Sequence, residues 1–312
     1  MEVLAVISVM NYKGGVGKTT LTANIAAEMA KTGMEVLLVD LDPQANLTLS
    51  FISIEQWQNL DRLERTVKHW YDAYLDKDED MSLKDLIISP PMVNSRLDTD
   101  PESGRIDLIC SHLELINVDM ELSSRLGGNT DRTIRSNYLR VLTRLKNKLD
   151  EIKGEYDVII IDCPPNFNLI TQNAIVASDF YIVPAKADYL STLGINTLIR
   201  HVEELKRKFN QYSRQSNDPD TSTISPHMLG VIFTMVSYRN QQPISAQSDY
   251  INQIKRDRHC FTNFLRESKT IFAHAPESGI PVVLQRKNEQ QELICKEVNG
   301  MVNEIFMLSN LS

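Results

Sequence analysis

The sequence predicts an α/β fold, a mostly parallel twisted sheet with helices on both faces. Three observations predict it. Apolar runs of five or six residues, rich in Val, Ile and Leu, recur without polar alternation, as strands buried on both faces require. Helical stretches separate these runs, so strand and helix alternate along the chain. A glycine-rich turn joins the first apolar run to the first helical stretch, a junction suited to holding an anion.

The elements follow in order. The first strand is the run Val3 to Met10, and the first helix is Leu21 to Lys31. Between them stands Asn11-Tyr12-Lys13-Gly14-Gly15-Val16-Gly17-Lys18-Thr19-Thr20. Strand, glycine loop and helix in this order are the context of a phosphate-binding loop. Glycines let the backbone N–H groups curl round phosphate oxygens, and the helix N-terminus adds partial positive charge. The ordinary pattern has glycine six residues before the lysine. Here that position is Tyr12 and Lys13 follows it, so the loop is a deviant type. The second strand, from Val36, ends in Asp40-Leu41-Asp42-Pro43-Gln44. Further strands are expected at Arg105 to Ser111, at Tyr156 to Asp162 (followed by Cys163-Pro164-Pro165), at Tyr181 to Ala185 and at Leu229 to Met235. Helices are expected at Thr133–Lys153, Leu169–Ala177, Ser191–Phe209 and Glu289–Leu308. Ligands of such sheets bind beyond the carboxyl ends of the strands, where Gly14, Asp42 and Asp162 would meet.

The 312 residues read as one domain, 1–312, with two additions. Residues 53–80 carry Trp57, Leu60, Leu63, Val67, Trp70, Tyr71 and Tyr74 at roughly helical spacing and end in Asp76-Lys77-Asp78-Glu79-Asp80. A helix packed on the core is one reading, and a partner surface of exposed aromatics the other. Residues 211–226, rich in Ser, Asn, Asp, Thr and Pro, read as a mobile surface loop. No apolar run reaches eighteen residues, and Met1-Glu2-Val3 lacks the basic start of a signal peptide. Cys110, Cys163, Cys260 and Cys295 are scattered, without a C-x-x-C pair or zinc spacing, and read as buried reduced thiols.

The loop supplies what phosphoryl transfer to water needs. Backbone groups of Gly14, Gly15, Val16, Gly17 and Thr20 would hold phosphates, and Lys18 would reach the β- and γ-phosphates. Thr19 would ligate Mg2+ directly and Asp162 through water, with Asp40 supporting the metal shell.

These motifs resemble the ParA/MinD group of P-loop NTPases of the deviant Walker A type, most closely the ParA partition branch. The resemblance covers the signature loop, the segment Val36–Gln44 and the Walker B strand Tyr156–Pro165, and continues to about Val283. It implies an ATPase that needs ATP and Mg2+, turns over slowly and forms a homodimer on ATP. It implies that Lys13 reaches the partner's phosphates in trans and that Asp42 orients the attacking water. It places nucleotide-side loops at Thr234-Met235 and within Lys269 to Val283, where Ala273-His274-Ala275-Pro276 stands. Thr234, Met235 and Pro276 are therefore the candidate adenine contacts, with His274 equally a packing residue. It further implies non-specific DNA binding, stimulation by a ParB-like or other partner protein, and a cytoplasmic, nucleoid-associated location. The net charge of −8 opposes DNA binding driven by global charge. Distribution matters more: Lys186 to Lys269 hold twelve Lys/Arg against eight Asp/Glu, whereas Phe51 to Asp107 hold seven against thirteen. Candidate DNA contacts are Lys206, Arg207 and Lys208 with Arg214, and Lys255, Arg256 and Arg258. The early position of the loop argues against an N-terminal operator-reading region. The C-terminus, with two glutamates and no Lys or Arg from Glu297 onward, argues against a membrane-binding helix. The alternatives are a metabolic ATP-dependent ligase or synthase of the same superfamily, a protein-only positioning ATPase, and an iron-protein relative disfavoured by the cysteine pattern.

Overall fold

The computed structural model describes residues 5–76, 80–216, 221–285 and 288–309. The first half contains β1 (Ala5–Val9), α1 (Lys18–Lys31), β2 (Val36–Asp40), α2 (Asn46–Leu49), α3 (Ile54–Arg62) and α4 (Val67–Asp76). It continues with β3 (Ile87–Ile88), α5 (Pro91–Leu97), β4 (Ile106–Ile109), α6 (Leu115–Ser124) and α7 (Asp131–Asp150). The second half contains β5 (Val158–Asp162), α8 (Leu169–Ala177), β6 (Phe180–Lys186), α9 (Tyr189–Ser213) and β7 (His227–Val236). It ends with β8 (Tyr238–Arg239), β9 (Gln242–Pro243), α10 (Ser245–Asp257), β10 (Leu265–Arg266), α11 (Lys269–Ser278) and α12 (Glu289–Ser309).

Among the described residues, eight strands form one sheet in the order β10-β7-β6-β1-β5-β2-β4-β3. Every pairing in it is parallel except β3 with β4. The strands lack polar alternation because both faces are covered. In β1, Val6 points into one core, while Ala5, Ile7 and Val9 belong to the other. In β2, Leu37 and Val39 share the first core, and Val36 and Leu38 the second. One face is covered by α1 and α12. Alanines 23, 26, 27 and 30 keep α1 thin enough to lie close, and Ile294, Val298, Met301, Val302 and Ile305 make the inner face of α12. The other face carries α4, α6, α7, α8 and α9. β1 lies between β5 and β6, so the loop after β1 opens at the point where chain order reverses, the ligand crevice of such sheets.

Three expectations change. The expected addition 53–80 holds two helices, α3 and α4, within residues 54–76. The chain leaves α3 through Glu64 at φ 56°, and Trp70 and Tyr71 of α4 are fully buried with their rings edge-to-face. Most of the aromatics serve the core, so the exposed-aromatic reading of this segment fails; residues 77–79 lie outside the described residues. The stretch Lys269–Val283 is not a loop throughout, since α11 occupies Lys269–Ser278 with Pro276 inside it. In the expected loop 211–226, α9 runs on to Ser213, Ile224 is buried, and the Asn210 side chain bonds both its N–H and its carbonyl. Residues 217–220 of that expectation lie outside the described residues. All four cysteines are buried and free, and no helix among the described residues is long and apolar enough to cross a membrane.

Candidate functional site

The site is built where β1, β2 and β5 end. Met10 N–H donates to Ile182 O at 3.1 Å and the Asn11 amide donates to Pro184 O at 2.6 Å, tying the start of the loop to β6. Asn11 Oδ1 in turn accepts from Lys13 N at 3.0 Å. Gly15 and Gly17 adopt left-handed φ of 67° and 77°. A Cβ on Gly14 or Gly15 would meet nothing within 4 Å, so the space over this backbone is open to a ligand. Gly17 precedes α1, whose first turn has no side-chain cap, and its N–H groups are therefore left for an anion. Lys18 is 6% exposed and makes no hydrogen bond to a described residue. Thr234 Oγ1 donates to Val16 O at 2.6 Å and so braces the loop from β7.

Asp40 and Asp162 are register partners on β2 and β5. Both are fully buried, and burial followed by the neighbouring carboxylate pushes Asp162 well above the usual range. Burial also raises Asp40. Thr19 Oγ1 donates to Asp162 Oδ2 at 2.7 Å, while Asp162 Oδ1 is buried without a partner. An orphan carboxylate oxygen beside a threonine hydroxyl, in a cluster of acids that repel one another, fits a hard divalent cation. Asp40 differs from expectation, because both its oxygens are committed. Oδ1 accepts from Asp42 N at 3.1 Å, and Oδ2 accepts from Thr48 N and Oγ1 at 2.8 and 2.7 Å. It braces the segment that follows β2, to which Asp42 belongs. Asp42 is 6% exposed; its Oδ1 accepts from Gln44 N at 3.0 Å and its carbonyl from Ser111 Oγ at 2.7 Å.

Lys13 sits in an ion pair within its own chain. Its ammonium donates to Asp188 Oδ2 at 2.8 Å, Oδ1 at 3.0 Å and Ser191 Oγ at 3.3 Å. Asp188 also caps α9 by accepting from Ser191 N. Partial burial works against ionisation of Asp188, but the bonds from Lys13 and Ser191 hold its carboxyl below the usual range. The Tyr12 hydroxyl hydrogen-bonds with His201 Nδ1, and its ring meets Phe167 edge-on. The deviant position thus ties the loop to α9.

A cavity of about 330 Å³ opens beside α1, lined by Gly17, Thr20, Lys186, Thr234, Met235 and Phe272 among others. Its size suits a nucleoside. Thr234 and Met235 line this cavity, whereas α11 carries Pro276 into a separate small pocket with Asn24 and Pro281. His274 is exposed, 3.2 Å from Glu277.

A family model described as an AAA domain matches residues 4–214. The chain is 30% identical over 279 residues to the sporulation initiation inhibitor protein Soj of Bacillus subtilis, covering 89% of this chain and 90% of Soj. It is also 30% identical over 239 residues to the chromosome partitioning protein ParA of Caulobacter vibrioides, covering 76% of this chain and 72% of that one. The chain belongs to the ParA family of P-loop ATPases. Solved structures share its fold. Apo McdA of Cyanothece has a TM-score of 0.68 at 20% identity, covering 96% of this chain and 98% of that one. Cobyrinic acid a,c-diamide synthase of Mycobacterium smegmatis, with a bound ATP analogue and magnesium, has a TM-score of 0.62 at 23% identity, covering 96% and 92%.

The basic clusters of this ParA-family chain lie on α9 and at the end of α10. Burial pushes the Tyr181 phenol up to about 12, with Glu203 adding and Arg258 opposing, so the middle of α9 and the end of α10 flank the same strand. Three of the seven candidates are engaged within the chain. Lys206 bonds Glu203 at 2.6 Å, Lys208 lies over the Tyr138 ring, and Lys255 lies over Phe264. Arg207, Arg256 and Arg258 are exposed and form no ion pair with a described residue. Sequence reasoning missed Asp188, Ser111 and His201. Asp188 had a local signal, since an Asp three residues before Ser191 reads as a helix cap; the other two had none.

Proposed function

We propose that this chain is an ATP-driven dimerisation switch that hydrolyses ATP and positions DNA or another cargo on the nucleoid of a cytoplasm. The observation that carries this reading is the Thr19–Asp162 pair with its orphan carboxylate oxygen, flanked by Lys18 and Asp42 at the uncapped first turn of α1. Backbone N–H groups from Gly14 to Thr20 and the Lys18 ammonium hold the phosphates, and the cavity beside Thr234 and Met235 takes the base. Mg2+, held by Thr19 and Asp162, would supply charge neutralisation at the phosphates. Asp42 orients the attacking water from its braced position. Lys13 leaves Asp188 to meet the nucleotide of a second copy, and the resulting homodimer doubles the basic surface of α9 and α10. A ParB-like or other protein partner stimulates turnover. Membership of the ParA family favours this reading over a metabolic ligase or synthase, whose likeness here is one of fold.

The test is binding to a random-sequence DNA duplex at fixed moderate salt with no nucleotide, with ADP and with ATP. Binding with ATP alone, lost in Lys13→Ala, is the expected result. Absence of binding in every state would remove DNA from the proposal and leave a protein-only positioning ATPase.

A further inference from the structure

We infer that Ser111 is a positioning residue for the segment after β2 that carries Asp42, and that α3 acts on hydrolysis through it. The inference rests on the reading of Asp42 as the residue that orients the attacking water. Ser111 follows β4, is fully buried, and lies outside the phosphate loop and the metal pair. Each of its polar groups is spent on a different element. Its hydroxyl donates to the Asp42 carbonyl at 2.7 Å, and its N–H donates to Thr48 Oγ1 at 2.9 Å, the same hydroxyl that donates to Asp40. Its carbonyl accepts from the Trp57 indole N–H at 3.0 Å. One residue thus holds the Asp42 peptide, the brace behind it and a side chain of α3.

The α3 end of this chain of contacts is itself fixed. The Trp57 ring stacks on His112 with centroids 5.3 Å apart, and His112 Nε2 lies 3.0 Å from Asp61 on the same helix. His112 Nδ1 accepts from Glu114 N–H at 3.0 Å, which leaves the proton of the neutral ring on Nε2, pointed at Asp61. The same tautomer denies Nε2 a lone pair for a metal, so the pairing of His112 with Asp61 is a clamp. Movement of α3 therefore pulls on Ser111, and Ser111 pulls on the Asp42 peptide. Bonds to phosphate and base do not pass through this route, so it bears on turnover and not on ATP affinity.

The test measures single-turnover hydrolysis, affinity for a non-hydrolysable ATP analogue, and melting temperature in Ser111→Ala, Ser111→Thr and Trp57→Phe. Ser111→Ala is expected to lower kcat about tenfold, the scale of a small misplacement of a reacting group, with analogue affinity unchanged. Ser111→Thr, which keeps the hydroxyl, recovers most of the rate. Trp57→Phe keeps the ring over His112 but removes the N–H, and gives a smaller drop in kcat with the same unchanged affinity. An unchanged kcat in folded Ser111→Ala and Trp57→Phe overturns the inference, as does a loss of analogue affinity in step with kcat. If Ser111→Ala does not fold, Trp57→Phe decides alone. A wild-type protein that binds the analogue but never hydrolyses ATP would instead sink the ATPase reading, and this inference with it.

Discussion

Asp162 is held in a state that a proton or a divalent cation would relieve. It is buried, faces Asp40 across paired strands, and has one oxygen without a partner. Asp162→Asn should therefore spare nucleotide binding in the presence of a chelator and remove the tightening that Mg2+ brings, by about tenfold or more on the scale of metal-site losses. Titration calorimetry with and without Mg2+ checks this. Lys13 and Asp188 behave differently, because both are partly exposed. Exposed ion pairs contribute about 1 kcal/mol or less, and asparagine still caps a helix. Asp188→Asn should thus leave the melting temperature nearly unchanged, yet free the Lys13 ammonium so that ATP-dependent dimers form at lower protein concentration, as sedimentation would show. Lys18, Thr19 and Asp162 were legible in the sequence because each sits in a short pattern whose spacing is its chemistry. Asp40 misled because a carboxylate at a strand end looks the same whether it faces a metal or its own backbone. Lys13's partner is 175 residues away, a distance that local pattern cannot bridge.

Among the elements, α4 shows why aromatic spacing was ambiguous. Trp70 is fully buried, donates its indole N–H to Met81 O at 3.0 Å and lies under the Arg144 guanidinium. Trp70→Ala should cost about 3–5 kcal/mol, the usual range for a buried large aromatic, read from urea unfolding. A partner-facing tryptophan would show almost no loss. Helical spacing of Trp70, Tyr71 and Tyr74 revealed the helix, but the side that faces water is decided by α7, which lies far along the chain. α11 was missed for another reason. The family resemblance placed a loop there, whereas Pro276 sits late in a short helix that Gly279 at φ 65° ends soon after.

At the scale of the whole molecule, the parallel sheet was the most legible feature, because burial on both faces leaves its mark on every strand. The edges were less so: β3 and β10 are two residues each, too short for periodicity. The charge division was legible in sum and misleading in detail, since Lys206, Lys208 and Lys255 are engaged at home. The proposed DNA surface should therefore depend most on Arg207, Arg256 and Arg258. Replacing each with Glu should weaken ATP-dependent DNA binding and lower the salt dependence by about one unit of slope for each phosphate no longer neutralised, with analogue affinity unchanged. A salt slope equal to wild type in the triple variant would place the surface elsewhere.

The ring of Trp57 has one more consequence. The chain has two tryptophans, and they report on different things. Trp70 is sealed in the core, so its emission stays constant while the fold is intact. Trp57 is half-buried against an imidazole, with its indole N–H on the carbonyl of Ser111. Any rearrangement of that peptide changes the polarity around the excited indole. The unlabelled protein thus contains its own optical probe of the segment after β2, and Trp57→Phe supplies the blank.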